Sequence, residues 1–228
     1  MDLNKYCETS ITSDKLDIFH FNSRIIINGY SFSGKSRLCI NILKKYIQKI
    51  DKIILANNPN FQEFQNENDL ISKIDVLEYT PSISELKSNY SGHKVIILDD
   101  NYIANFNSET VLSYFVQGRH HDISVILICQ NLFVPKARFA RDISLNATHF
   151  ILLRLRDLNQ IQILASQIFG KKNSVKVLEI YKYIHKTYNW GHLLIDVSQT
   201  SSPEIELRSN IAGKIENNDF EICFKTLN

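Results

Sequence analysis

An eight-residue segment near the N-terminus has the composition of a phosphate-binding loop. Residues 29–36 read Gly-Tyr-Ser-Phe-Ser-Gly-Lys-Ser and match the pattern GxxxxGK[ST]. Gly29 and Gly34 permit backbone angles that turn a row of N–H groups towards phosphate oxygens. In this pattern the lysine, Lys35, reaches the β- and γ-phosphates, and the hydroxyl of Ser36 binds Mg²⁺. The segment therefore predicts a nucleoside triphosphate site with ATP and Mg²⁺ as cofactors.

The sequence on either side of this loop supports the same interpretation. The isoleucine-rich run of residues 24–27 predicts a strand before the loop, and residues 35–48 predict a helix after it. Such a helix directs the positive end of its dipole at bound phosphates. A glycine turn with an exposed lysine is the alternative. The residues expected to contact the nucleotide are Gly29, Tyr30, Ser31, Phe32, Ser33, Gly34, Lys35, Ser36 and Arg37.

Two adjacent acids follow another apolar run. Residues 95–98 read Val-Ile-Ile-Leu, and Asp99 and Asp100 come directly after them. Ligands of open α/β sheets bind at the carboxyl ends of the strands, so both acids are expected beside the phosphate loop. Asp99 is predicted to hold Mg²⁺ through water, and Asp100 to orient and deprotonate the attacking water. A solvated Asp-Asp turn at a strand end is the plainer alternative.

Polar side chains flank the strand predicted at residues 124–129. Gln130 follows this strand, where a side-chain amide is suited to sense the loss of the γ-phosphate. Arg119 lies in the turn before it and is a candidate arginine finger, a cation that completes the site of a neighbouring subunit. Arg154 and Arg156 are the next candidates for that finger. For Gln130 and Arg119 alike, a plain surface position is the alternative.

Strand and helix candidates alternate along the chain. Short apolar runs with polar ends are typical of strands buried on both faces of a parallel sheet. The alternation predicts right-handed βαβ units and a three-layer α/β fold with a mainly parallel central sheet. The predicted strands are residues 24–27, 52–56, 94–98, 124–129, 149–153 and 192–197, and the predicted helices are residues 35–48, 82–90, 108–117, 157–169 and 175–185.

The same pattern suggests how the chain is divided. We expect a P-loop ATPase domain at residues 19–197, an N-terminal extension at residues 1–18 and a C-terminal arm at residues 198–228. Residues 57–68 are rich in Asn and Gln and are predicted to form a surface loop.

Composition narrows the possible classes of protein. The 228 residues carry a formal net charge of +2, so any binding to nucleic acid must rely on a local basic surface. No apolar run approaches the roughly 20 residues of a membrane span. The N-terminus has no signal-peptide pattern. The four cysteines form no CxxC pair, which argues against a zinc site or a disulfide framework and indicates a reducing compartment.

The order of these segments resembles the FtsK–HerA superfamily of P-loop motors. Within it, the chain looks like the small genome-packaging ATPases of poxviruses and of Polinton/Maverick transposons. The resemblance covers residues 19–211. The phosphate loop and the strand before Asp99 are common to P-loop ATPases, whereas the Arg-His-His segment at residues 119–121 and the tail from Asp196 to Asn210 are much more specific. The resemblance is carried by residues 29–36, 95–100, 118–126, 130, 144–149, 154–160, 191–196 and 207–210.

The resemblance implies an additional-strand ATPase core and a ring-shaped homo-oligomer. It also implies ATP-driven translocation of double-stranded DNA into a preformed capsid, with a capsid or portal-vertex protein as partner. The expected location is the virion or its assembly site, in the cytoplasm or nucleus of an infected cell. By position, Lys35 and Ser36 belong to Walker A and Asp99 and Asp100 to Walker B, while Gln130 is the sensor and Arg119 the finger.

Two departures from the family pattern affect the phosphate loop and the second acid. Residues 30–32, Tyr-Ser-Phe, replace the proline and middle glycine that the family usually carries. The superfamily's second acid is commonly glutamate, and Asp100 is one methylene shorter.

A basic segment after Gln130 is the candidate DNA contact. Lys136, Arg138 and Arg141 lie where a segment could face the channel of a ring, and each cation that neutralises a phosphate adds salt-sensitive affinity. A solvated basic helix face is the alternative. For the chain as a whole, the competing functions are a small P-loop kinase, another DNA-translocating or replication ATPase, and a non-enzymatic module that only retains ATP.

Overall fold

The structure is a computed structural model of the 228-residue chain. It describes residues 7–11, 18, 22–57, 62–99, 101–199, 201, 206–211 and 221–224, of which residues 7–11, 62, 65 and 221 are described by their backbone alone. Asp100 lies outside the described residues.

The described residues form one ten-stranded sheet with helices on both faces. The strands are β1 (Cys7–Ile11), β2 (Arg24–Asn28), β3 (Lys52–Ala56), β4 (Ile74–Leu77), β5 (Lys94–Leu98), β6 (Ile123–Cys129), β7 (His149–Leu152), β8 (Leu193–Asp196), β9 (Leu207–Ser209) and β10 (Glu221–Phe224). The α-helices are α1 (Lys35–Lys45), α2 (Gln62–Gln65), α3 (Asn68–Ile71), α4 (Ile83–Asn89), α5 (Tyr102–Asn105), α6 (Glu109–Gln117), α7 (Ala140–Asn146) and α8 (Asn159–Thr187). Short 3₁₀ turns cover Ile47–Lys49 and Gly118–His121.

The strand order places the ends of particular strands side by side. It runs β1-β10-β9-β8-β7-β2-β6-β5-β3-β4. From β7 to β4 all neighbours are parallel, whereas β8, β9, β10 and β1 extend the sheet in antiparallel pairs. β6 lies between β2 and β5, and it is the additional strand that the resemblance implied. The predicted three-layer fold with a mainly parallel sheet is confirmed.

The two faces of the sheet carry separate apolar layers. Ile25 and Ile27 of β2 pack with α1 on one face, and Ile26 packs on the other face with α6 and α8. Because successive residues of a strand point to opposite faces, an uninterrupted isoleucine run serves both layers. This explains why the central strands read as continuous apolar runs in the sequence.

All six predicted strands are present, but four others were missed. β4 is half exposed, and β1, β9 and β10 are short strands of the antiparallel extension. Their sequences lack a long apolar run because each is an edge strand or carries charged residues. The sheet extends beyond both predicted domain boundaries, since β1 comes before residue 19 and β9 and β10 come after residue 197.

Two helical regions differ from the prediction. The helices expected at residues 157–169 and 175–185 both lie within α8, which is interrupted at Gly170, where φ is 78° and ψ is 162°. The expectation of a plain surface loop at residues 57–68 was wrong for the described part, residues 57 and 62–68. That part contains α2, with Phe64 buried in the core, and Glu67 is buried against Arg37 and Lys44.

The described ranges contain no helix that is both long and apolar enough to cross a membrane. In the same ranges, no group of three or more His, Cys, Asp or Glu side chains is arranged to hold a metal ion. The side chains of Cys39, Cys129 and Cys223 are buried.

A buried ionic network joins β7, β8 and β9. Asp196 accepts hydrogen bonds from Arg208 Nη2 at 3.0 Å and from the backbone N–H and hydroxyl of Ser198, and His149 Nε2 lies 3.4 Å from its Oδ1. Burial raises the pKa of Asp196, but the bonds from His149 and Ser198 outweigh burial and lower the pKa to about 2. The carboxylate therefore stays ionised in the folded state down to strongly acidic pH.

We predict that Asp196→Asn lowers the free energy of unfolding by about 3 kcal/mol, because it leaves the Arg208 guanidinium buried without its counter-ion. Urea denaturation at pH 7 measures the change. The matched control is Glu109→Gln, which removes an exposed ion pair with Arg138 and is expected to change stability by at most about 1 kcal/mol. Equal effects of the two substitutions would contradict a structural role for the buried network.

Candidate functional site

The phosphate loop leaves the end of β2 and is anchored to the ends of both neighbouring strands. The backbone N–H of Gly29 donates to the carbonyl of Cys129, the last residue of β6, at 3.2 Å. The N–H of Tyr30 donates to the carbonyl of Arg154 at 3.1 Å, just after β7. The parallel pairing of β2 with β6 and β7 therefore fixes where the loop begins.

The two glycines of the motif are required for different reasons. Gly34 has φ of 90°, in the left-handed region, and it begins α1. A Cβ on Gly29 would lie 2.4 Å from the hydroxyl of Ser33, so any side chain there would displace the loop. The left-handed backbone that favours glycine is thus present at Gly34, whereas at Gly29 it is the space beside Ser33 that excludes a side chain.

The remaining motif residues lie around the start of α1. Lys35 Nζ donates to the carbonyl of Tyr30 at 3.0 Å, which folds the ammonium over the loop. The hydroxyl of Ser36 donates to Asp99 Oδ2 at 3.0 Å. Asp99 is buried at the end of β5. The fold thus brings together Ser36 and Asp99, which are far apart in sequence and were predicted to serve one metal ion.

The loop fits a phosphate group. The hydroxyl of Ser33 is buried and has no hydrogen-bond partner among the described residues. It can therefore donate a hydrogen bond to a phosphate oxygen inside the loop. The N–H groups of the first turn of α1 have no partner within the helix, and they give this end a partial positive charge. Together with Lys35, these groups favour an anion.

A cavity of about 1020 Å³ adjoins the loop. Asp99 and Gln130 lie in its wall on the β5 and β6 side of the loop, and Phe32 stands at the tip of the loop, 96% exposed. The lining residues on the other side belong mostly to the segment between α8 and β8 and to the residue after β9. These are Thr187, Tyr188, Asn189, Trp190, His192 and Asn210.

Gln160 is a buried residue to which the sequence assigned no role, although it lies in segment 154–160, which carried the family resemblance. Its Oε1 accepts from the side chain of Asn28 at 3.2 Å and from the backbone N–H of Leu132 at 3.2 Å. Asn28 is the last residue of β2 before the phosphate loop, and Leu132 lies in the segment that carries Gln130. Gln160 therefore ties the base of the loop to the segment expected to sense the γ-phosphate.

His192 is a second residue to which the sequence assigned no role. Its Nε2 accepts the backbone N–H of Ile211 at 3.2 Å, so the ring is neutral and carries its proton on Nδ1. Burial lowers its pKa to about 4, helped by the nearby His185, while a hydrogen bond to the backbone of Trp190 acts in the opposite direction. His192 and Asn210 lie in segments that carried the family resemblance, which was the available signal.

Arg119 is remote from the loop of its own chain. It lies in the 3₁₀ turn that precedes β6, and its carbonyl accepts from the side chain of Asn22, just before β2. The loop follows the other end of β2, and the seven residues of β6 span about 23 Å between the two edges of the sheet. Arg119 is exposed at that opposite edge.

Arg154 and Arg156, in contrast, lie at the same edge as the loop. The carbonyl of Arg154 holds the N–H of Tyr30, and its guanidinium reaches the carbonyl of His185 at 3.4 Å. The guanidinium of Arg156 lies over the ring of Tyr30, 5.6 Å from its centroid. Both arginines are therefore near the site of their own chain.

The other predicted cations are exposed. Arg37, expected to contact the nucleotide, pairs with Glu67 at 2.5 Å from its place in the first turn of α1. Arg138 pairs with Glu109 at 3.1 Å and stacks on Phe139. Lys136 is exposed in the segment between β6 and α7, and Arg141 is exposed in the first turn of α7.

The chain is similar in sequence to poxvirus proteins and in fold to a viral NTPase. The DNA packaging protein OPG160 of monkeypox virus is 26% identical over 204 residues, which cover 81% of this chain and 65% of that protein. The protein of the same name from vaccinia virus, strain Copenhagen, is also 26% identical, and the match covers 81% of this chain and 72% of that protein. The chain thus spans just under two thirds of the monkeypox protein. No protein-family model matches the chain.

The genome packaging NTPase of Sulfolobus turreted icosahedral virus 2, solved with ATPγS, superposes with a TM-score of 0.55. The match covers 82% of this chain and 96% of that one, at 19% identity. A structure of the same NTPase with sulfate superposes with a TM-score of 0.54, at 21% sequence identity. The predicted resemblance to viral genome-packaging ATPases is confirmed.

We predict that His192 makes stability depend on pH. A histidine whose folded-state pKa is about 4, below its ordinary value of 6.5, favours folding above pH 6.5 and loses that contribution as pH falls towards 4. At pH 5 the expected loss is about 2 kcal/mol relative to pH 7. The pKa of His185 is also lowered to about 4, mainly by burial, so its contribution to the stability of the protein is lost over the same pH range.

The measurement compares urea denaturation of wild type and His192→Gln at pH 7 and pH 5. The variant should have a lower free energy of unfolding than the wild type at pH 7. The difference between the two free energies should be smaller by about 2 kcal/mol at pH 5. A difference that is the same at both pH values would mean that His192 is not held neutral by the fold.

Proposed function

We propose that this chain is an ATP-hydrolysing motor that packages double-stranded DNA into a viral capsid. One observation carries the proposal: Lys35 and Ser36 of the phosphate loop, Asp99 and Gln130 border a single cavity. The similarity to poxvirus DNA packaging proteins over 81% of the chain supports packaging as the work done with the ATP.

The nucleotide phosphates are held by residues 29–37. Lys35 neutralises the β- and γ-phosphates, and the unpartnered hydroxyl of Ser33 and the N–H groups at the start of α1 donate to their oxygens. Mg²⁺, when bound, neutralises charge on the phosphates. Ser36 and Asp99 are the residues that would hold it, since their side-chain oxygens are 3.0 Å apart beside the loop.

Hydrolysis needs a group that activates water and a group that responds to the γ-phosphate. We assign the first role to Asp100, which directly follows Asp99, and the second to Gln130. Gln130 is supported by its place in the cavity wall, and the Gln160 bridge gives its segment a route to the phosphate loop. Asp100 rests on the sequence pattern.

A ring of identical subunits would complete each site. Arg119 is about 23 Å from the loop edge of its own sheet, so as a finger it must act on a neighbouring subunit. Its exposed position at the opposite edge suits an arrangement in which one subunit's β6 turn faces the next subunit's cavity. Arg154 and Arg156, beside their own loop, are the alternative cations.

The proposed partners are double-stranded DNA and a capsid or portal-vertex protein, at the site of virion assembly. Lys136, Arg138 and Arg141 are the proposed DNA contacts, and their exposure supports that role. Arg138 is already paired with Glu109, so its contribution to phosphate binding requires exchange of one partner for the other.

A P-loop kinase is distinguished from the motor by its need for a phosphate acceptor. Release of inorganic phosphate from ATP without any acceptor is expected for the motor, and strict dependence on an added acceptor would favour a kinase. Stimulation of that release by double-stranded DNA tests the motor more specifically.

We predict that Asp100→Asn keeps MgATP binding while phosphate release falls by about 10²-fold or more, as expected for loss of a general base. Asp99→Asn should instead alter the Mg²⁺ dependence. Lys35→Ala is the control, since it should abolish turnover and also weaken nucleotide binding. Phosphate release and nucleotide affinity are measured on each variant. Normal turnover by Asp100→Asn would show that another group activates the water.

We predict that Arg119→Ala binds ATP normally and loses hydrolysis, because fingers of this type accelerate turnover by about 10³–10⁵-fold. The decisive measurement mixes Arg119→Ala with Lys35→Ala, each inactive alone. In a mixed ring, an intact Lys35 site can receive an intact Arg119 from its neighbour. Activity should partly return and should rise with protein concentration.

The mixing result separates the two sets of arginines. If mixed rings form but remain inactive, Arg119 is a surface residue and not a finger. The same mixing with Arg154→Ala or Arg156→Ala is expected to restore nothing, since both act on their own loop. Arg119→Lys, which keeps the charge but not the fork of donors, is expected to recover little.

A further inference from the structure

The cavity at the phosphate loop has two chemically different ends. Asp99 and Gln130 follow β5 and β6, whereas residues 187–190 lead into β8. In the sheet order β8-β7-β2-β6-β5, these ends lie on opposite sides of the strand that carries the loop. A volume of about 1020 Å³ is more than phosphates alone require. A nucleotide with its γ-phosphate towards Asp99 therefore extends its nucleoside towards residues 187–190.

Two aromatic side chains, Tyr188 and Trp190, lie at that second end, and Trp190 is the larger and the more exposed of the two. It is 76% exposed, and the edge of its ring lies against the loop, since a Cβ on Gly34 would be 3.4 Å from Trp190 Cε3. An indole left mostly in water has a large apolar area still to bury. The ring therefore offers an uncovered flat surface next to the phosphate site.

The backbone around Trp190 is held from several directions. Trp190 itself has φ of 62°, in the left-handed region, and the N–H of Gly191 donates to the carbonyl of Tyr188 at 3.2 Å. A Cβ on Gly191 would lie 2.7 Å from Ile184 Cγ2, so the segment passes tightly over α8. The buried ring of His192 is hydrogen-bonded to the Trp190 backbone. A fixed backbone with an exposed ring is suited to stacking.

We infer that Trp190 is the platform on which the base of the nucleotide stacks. The inference rests on the proposed function, because it requires a nucleoside triphosphate in the phosphate loop. Base–aromatic stacking contributes to affinity and tolerates any base, since every base has a π-face. Trp190 thus makes the site prefer nucleotides over bare polyphosphates without choosing between adenine and guanine.

The sequence supplies a direct probe, because Trp190 is its single tryptophan. Titration with ATPγS or GTPγS is expected to change the intrinsic fluorescence of the wild-type protein strongly, and titration with inorganic tripolyphosphate only weakly. By calorimetry, Trp190→Ala should bind ATPγS and GTPγS about 10-fold or more weakly, as expected when base stacking is lost. Its affinity for tripolyphosphate should be unchanged, which also shows that the variant is folded. Trp190→Phe should recover most of the nucleotide affinity.

The matched control is Tyr79→Ala, which removes another exposed aromatic ring outside the cavity wall and should leave both ligands unaffected. The platform is overturned if Trp190→Ala binds ATPγS as tightly as the wild type does. Equal affinity of the wild type for ATPγS and tripolyphosphate would also overturn the platform. In that case the phosphate loop would bind phosphates, but the base would add nothing to the affinity. If the wild type binds neither ligand, the proposed function fails and the platform fails with it.

Discussion

The parallel pairing of β2 between β6 and β7 is the constraint on which the candidate site depends. Parallel strands bring their carboxyl ends to one edge, and the first two residues of the phosphate loop are held there by the carbonyls of Cys129 and Arg154. The pairing of β6 with β5 then places Asp99 within hydrogen-bond reach of Ser36. A shift of register between β2 and β6 would separate the loop from both the acid and Gln130.

Buried polar groups make this arrangement specific. Gln160 accepts two hydrogen bonds that join the end of β2 to the segment after β6, and leaving either donor unpaired inside the protein costs about 1–3 kcal/mol. Asp196 of β8 likewise joins neighbouring strands, because it contacts His149 of β7 and Arg208 of β9. The apolar core stabilises the sheet as a whole, whereas these polar contacts determine which strand ends meet.

The two edges of the sheet present different chemistry. One edge carries the phosphate loop, Asp99, Gln130 and the loop of Trp190, and the opposite edge carries Arg119. Within a single subunit, Arg119 is therefore too far away to reach the phosphate loop. The finger role that we propose for Arg119 therefore requires a neighbouring subunit.

The sequence by itself determined the phosphate loop, the six central strands and the three-layer fold. It did so because these features depend on local rules: glycine where a backbone must turn tightly, and continuous apolar runs where a strand is buried on both faces. The tertiary structure alone decided which distant residues meet. The roles of Gln160 and Trp190 could not be predicted from their local sequence, because a buried glutamine and an exposed tryptophan look ordinary in a helix and a turn, although Gln160 lies in a segment that carried the resemblance. The strands β1, β9 and β10 were missed for a related reason: they are stabilised by their neighbours in the sheet, and a short strand that depends on its partners leaves little pattern in its own residues.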